Sequence, residues 1–182
     1  MSEPITFRLT GFEQATEEVR AAAHVGVVAG LEAVGSRAQG MLVQNIKSPY
    51  NGMPPAVGAT GWLGNKTFFT VTPEGMLTRM LLQAGAPADT YAAPVNYGAR
   101  PHMPPVNALL PWVAMKFGIE DEKSAMKIAW AIAINQKKKG MQGRFMFDRA
   151  QAEIAPDAPS IIERQISVAL REAGIGGDVA TA

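Results

Sequence analysis

Residues 67–84 read TFFTVTPEGMLTRMLLQA. Thr67 to Thr72 are β-branched and aromatic, which suits a strand. Pro73-Glu74-Gly75 carries turn chemistry, and Met76 to Ala84 reads as the returning strand. A hairpin set between segments of helical spacing makes the expected fold class α+β rather than all-helical.

Upstream, Phe12, Val19, Ala23, Val27, Leu31, Val34, Ala38, Leu42 and Ile46 recur at steps of three and four. That spacing predicts one face of a long amphipathic helix over roughly 11–47. Before it, ITFRL at 5–9 alternates like a short strand, and Thr10 with Glu13 fits a capping box. Gly26, Gly30, Gly35 and Gly40 fall inside the helix, each costing about 1 kcal/mol relative to alanine. Two readings stand open: close backbone packing on a neighbour, or a break near Gly35. Residues 48–66, SPYNGMPPAVGATGWLGNK, have no period and predict a long loop.

Downstream, YAAPVNYGARPHMPP spans residues 91–105. Tyr91 to Tyr97 reads as a third strand, placed at an edge by Pro94. A helix is expected over 106–117, ended by Gly118, and another over 121–138, ended by Gly140. The second has Glu120, Asp121 and Glu122 at its positive end and Lys137, Lys138 and Lys139 at its negative end. The pair joined at Gly118 is compatible with a helix-turn-helix, but the AMKIAWAIAI centre of the second helix is too apolar to read base edges, so that helix looks like a core helix. After FMFDRAQAEI and a Pro156–Pro159 interruption, Ser160 with Glu163 reads as a capping box opening a helix to about Ala173. The expected architecture is a small antiparallel sheet packed by a long N-terminal helix and a C-terminal helical group. One domain over 1–173 and a frayed tail over 174–182 complete it.

The 182 residues hold 17 Lys and Arg against 16 Asp and Glu, and 47% are apolar. A real core is affordable, and a protein devoted to coating DNA is disfavoured. No cysteine is present, which removes disulfides and thiolate chemistry. MSEPITFRLTGFEQ lacks the pattern of a signal peptide, and AAAHVGVVAGL is roughly half the length of a membrane span. A soluble protein made in the cytoplasm, without membrane contact, is expected.

Chemistry is thin. His24 and His102 are far apart and lack carboxylates at ligand spacing, so no metal site or cofactor is expected. No nucleophile elbow, phosphate loop, zinc-protease motif or dinucleotide fingerprint occurs. The chain reads as no enzyme; a rival enzymatic reading would rest on His102. Lys137, Lys138 and Lys139, followed by Arg144, form a basic patch that a nucleic-acid-binding module would use.

The order of these parts resembles the tail-component family of long-tailed double-stranded DNA bacteriophages, the neck or tail-completion proteins. The segments that carry it are Pro49 to Leu63 (a Pro…TG-x-L segment), Tyr91 to His102 (Tyr-Ala…Tyr-Gly-x-Arg-Pro-His) and Arg144 to Ala150 (an Arg-x-Phe…Ala segment). Two departures stand out: the insert YNGMPPAVGA with Gly64 in place of a basic residue, and Asn96 where an acid is usual. The resemblance implies a structural virion protein of the phage neck, made in the host cytoplasm. It implies copies of the chain in a ring, most often sixfold, that completes the tail and joins it to the head. Its partners would be head-completion or stopper proteins, tail terminator or tail tube, and genomic DNA in the lumen. Tyr91, Tyr97, Gly98, Arg100, Pro101 and His102, on a proline-stiffened arm, are then candidates for the subunit interface. Gly26 and Gly30 on the long helix and Trp62 in the long loop join them. The ten methionines suit adaptable apolar contacts.

Overall fold

The computed structural model describes residues 15–53, 61–74 and 77–175. The predicted strand at 5–9, the Thr10–Glu13 box, the middle of the long loop, Gly75 of the hairpin turn and the end of the tail lie outside them. The elements are α1 (Glu17–Lys47), α2 (Trp62–Asn65), β1 (Thr67–Glu74), β2 (Leu77–Ala84), α3 (Asp89–Tyr97) and β3 (Gly98–Ala99). They continue with α4 (Val106–Phe117), α5 (Glu122–Lys139), β4 (Met141–Gln142), α6 (Met146–Ile154) and α7 (Ala158–Glu172). The fold is α+β: β1 pairs with β2 in the predicted hairpin, and β3 pairs with β4 in a second small sheet.

The chain divides into two compact units, each built from separate stretches of sequence. The first takes residues up to Met41, Phe69–Leu82 and the chain from Ala150 onward; the second takes Leu42–Phe68 and Gln83–Arg149. The sequence reads as one domain because α1, the hairpin and α6 each run across a boundary.

In the first unit, α1 begins later than its periodicity suggests. Thr16 is already non-helical, and its hydroxyl accepts a 3.4 Å hydrogen bond from the Val19 amide, as an N-cap does. Ala23, Leu31, Val34 and Ala38 then form a core with Ile154, Ala158, Ile162 and Ile166. Val71, Met80 and Leu82 of the hairpin pack onto it. Fully burying each of the larger aliphatic side chains stabilises by about 1.5–3 kcal/mol.

The glycine question is resolved in favour of packing, because α1 is continuous from Glu17 to Lys47. A Cβ on Gly26 would collide with the Ile166 backbone, and one on Gly30 would lie 2.8 Å from the Ile162 Cα. Gly35 similarly makes room for the Phe69 ring, whereas Gly40 faces open space. The expectation that Gly26 and Gly30 meet a neighbouring subunit is therefore corrected: α7 of the same chain fills that face.

The start of α7 is also corrected. The helix begins at Ala158 with Pro159 in its first turn, where a missing N–H costs nothing. Ser160 is thus inside the helix, its hydroxyl donating back to the Asp157 carbonyl at 2.9 Å. Arg37 and Asp157 form a 2.6 Å ion pair, half exposed at both ends and so worth little.

In the second unit, α4 ends as predicted at Gly118, whose φ of 63° is left-handed. Asp121 caps α5, accepting from the Ser124 amide at 2.8 Å. Val113, Ala125 and Ala129 form the seam between α4 and α5. Helix α5 is the core helix expected from AMKIAWAIAI on one face only. It buries an alanine face, Ala125, Ala129 and Ala133, and leaves Trp130 and Ile134 exposed.

Candidate functional site

Tyr91 to Tyr97 is the largest correction: it is helical, not an edge strand. Ala88, Ala92 and Asn96 are all buried, four residues apart on one face, and that face decides the conformation. Pro94 sits inside this short helix. Its fixed φ is helical, and the helix gives up one backbone bond there.

Asn96 is 2% exposed and organises the site. Its Nδ2 donates to Asp148 Oδ2 at 2.7 Å, and its Oδ1 accepts from the Phe147 amide at 3.0 Å. Its backbone carbonyl accepts from the amides of Arg144 at 2.9 Å and Phe145 at 2.8 Å. Both ends of the side chain are thus engaged with the first turn of α6, and its backbone carbonyl with the two residues ahead of that helix.

The chain then leaves α3 through Gly98, whose φ of 84° only glycine adopts readily. Gly98 pairs with Gln142 and Ala99 with Met141. The contact is backbone on backbone: a Cβ at Gly98 would strike the Met141 carbonyl, and one at Gly143 would lie 2.6 Å from the Tyr97 carbonyl carbon. One further bond, from the Arg144 amide to the Val95 carbonyl at 3.2 Å, closes the clasp.

Phe145 is held at a φ of 48°, a conformation a bulky residue avoids unless its surroundings impose it. Its ring meets Tyr97 edge-on at 6.5 Å. Both aromatics remain more than two-fifths exposed. Beside them Arg100, Pro101 and His102 are exposed, and His102 Nδ1 donates to the Arg100 carbonyl at 2.8 Å. That bond puts the proton on Nδ1, since a carbonyl can only accept.

A second tie comes from Arg149. Its guanidinium lies 4.3 Å over the Tyr50 ring and donates to the Asn45 carbonyl at 3.1 Å. Its Nε is buried without a hydrogen-bond partner. The Tyr50–Met53 turn, closed by mutual backbone bonds of 3.1 and 2.9 Å, is thereby fastened to the end of the same loop.

Tyr91 is partly covered, and burial raises its hydroxyl pKa. Burial likewise lowers the pKa of Arg144. Lys137, Lys138 and Lys139 are exposed on the last turn of α5. Trp62 opens α2, and its side chain lies outside the described atoms. Tyr97, Gly98, Arg100, Pro101 and His102 therefore fall together on one arm, and Gly26 and Gly30 belong to a different unit. Sequence reasoning passed over Asn96 as a partner of Asp148, and Phe145, Arg149 and Tyr50 altogether. Only the four-residue spacing from Ala88 to Asn96 offered a signal.

Among the described residues no group of three or more His, Asp or Glu could hold a metal ion. An open cleft of about 310 Å³ over the α4–α5 turn is lined by Leu110, Pro111, Ala114 and Ile119, with Glu120 and Glu122 at its rim. Glu120 and Glu122 are the ionisable side chains that line it. Among the same residues no helix is long and apolar enough to cross a membrane. Compared with protein-family models, with curated proteins and with solved structures, the chain matches none.

Proposed function

We propose that this chain is a structural virion protein of the phage neck, forming a ring at the top of the tail. The observation that carries the reading is convergence. The three segments on which the resemblance rests are scattered over a hundred residues, yet parts of all three lie in one compact unit. Asn96 binds the Arg144–Asp148 loop, and Arg149 stacks on Tyr50. Segments that share a motif order and also share a rigid clasp behave as one functional element.

What the clasp offers is a surface rather than a reaction centre. Tyr97 and Phe145 stand outward beside Arg100, Pro101 and His102. Aromatic and arginine side chains on an over-determined backbone lose little entropy on docking. The first unit presents apolar side chains of its own. On β2, Thr78, Met80 and Leu82 are the more covered residues, and Leu77 and Leu81 point outward at 71% and 51% exposure. Repeated head-to-tail contacts that close on themselves make a ring.

Immunogold labelling of phage particles from a lysate that contains the chain tests the reading. Gold at the head–tail junction is the expected result. Particles whose neck stays unlabelled, while a known neck protein labels under the same conditions, would overturn it.

A further inference from the structure

The outer face of α5 carries Lys123, Lys127, Trp130, Ile134, Lys137 and Lys138, all exposed. The face opposite them is the buried Ala125, Ala129 and Ala133 seam. Steps of four, three, four, three and one keep the six within about one-third of the helix circumference. From Lys123 to Lys138 the stripe runs about 22 Å at 1.5 Å per residue. Trp130 stands near its middle, 48% exposed.

Ordinary helix chemistry accounts for only part of this. Lysines in the last turn complement the helix dipole, which covers Lys137 and Lys138. Lys123 is in the first turn, where the dipole disfavours a cation. Lys123 and Lys127 repel one another at i and i+4. The ion pairs Arg37–Asp157 and Arg79–Glu74 lie off the stripe, and none of its lysines is in an ion pair among the described residues. Asp121 is occupied with the Ser124 amide at the far end. A half-exposed tryptophan among lysines without partners offers a surface that complements an anion with an aromatic face.

We infer that the outer face of α5 binds single-stranded nucleic acid, its lysines meeting phosphates and Trp130 stacking on a base. Stacking explains the tryptophan, which a duplex backbone would leave idle. A membrane surface fits less well. Trp130 and Ile134 are the stripe's large apolar side chains, and stable insertion needs a wider apolar face. The inference stands apart from the ring reading and does not depend on it.

The test is fluorescence anisotropy of a labelled oligothymidylate of about 20 nucleotides with the full chain. Binding should weaken about 20- to 50-fold between about 50 and 200 mM salt, as release of about three to four phosphate contacts by the four stripe lysines requires. Trp130→Ala should lose about five- to a hundredfold in affinity, and Trp130→Phe should recover most of it. Lys123→Glu with Lys127→Glu should lose more than the charge-matched Lys47→Glu with Lys66→Glu. Far-UV circular dichroism establishes that each variant folds. No binding at low salt overturns the inference. So does affinity that ignores both Trp130 and the stripe lysines, or a preference for duplex. Lysine-dependent binding to phosphatidylserine vesicles without oligonucleotide binding overturns it in favour of a membrane face.

Discussion

Asn96 and Asp148 lie 52 residues apart in sequence and 2.7 Å apart in space, the amide nitrogen of one donating to the carboxylate of the other. Around this bond the second unit joins its α3 helix to the first turn of α6. Asn96 is buried, so its loss exposes several polar groups at once. Asn96→Ala should destabilise by about 2–4 kcal/mol, read as a lowered denaturant midpoint.

Asn96→Asp puts a second carboxylate against Asp148. Two like charges at that distance hold one proton between them, which raises the pKa of the pair above that of the unfolded chain. The penalty is therefore absent at low pH and grows as pH rises through the raised value. At neutral pH Asn96→Asp should be less stable than Asn96→Ala, with the order reversing toward pH about 4. Thermal melts of both variants across that range check it.

The α1 glycines divide into two kinds. Gly26→Ala drives a methyl into the Ile166 backbone and should cost about 2 kcal/mol or more. Gly40→Ala meets nothing within 4 Å in an exposed helical position and should stabilise by about 0.5–1 kcal/mol. Equal effects at the two sites would mean that α7 does not pack closely on α1.

Arg149→Met keeps the length of the side chain and removes both the stacked charge on Tyr50 and the bond to the Asn45 carbonyl. A loss of about 1–2 kcal/mol is expected, with faster hydrogen exchange at the Tyr50 and Met53 amides. Arg149→Lys should not restore it, because an ammonium lacks the planar fork.

Hydrogen bonds from the side chain and backbone of Ser124 hold the Asp121 carboxyl below its usual pKa, outweighing its small desolvation. A depressed folded value means the cap is intact above the ordinary carboxylate range and weakens as pH falls through the depressed value. Exchange at the Ser124 amide should accelerate there, and Asp121→Asn should remove that pH dependence.

The local elements were legible in the sequence where a single signal acted alone. The hairpin at 67–84, α4 with its Gly118 stop and α5 with its acidic start follow from strand composition, turn residues and caps, all of which act within a few residues. Tyr91 to Tyr97 reads locally as an edge strand because of Pro94, while burial of Ala88, Ala92 and Asn96 demands a helix. Burial is a tertiary fact. The same holds for the glycines of α1: their spacing showed that something must approach closely, and only the packed chain shows that it is Ile162 and Ile166. The sequence by itself determined the α+β class and the ends of α4 and α5, because propensity and capping are short-range. Tertiary structure alone decided the Asn96–Asp148 clasp, the strained Phe145 and the exposed lysine and tryptophan face of α5. Each of these depends on which surfaces remain open once distant segments have packed.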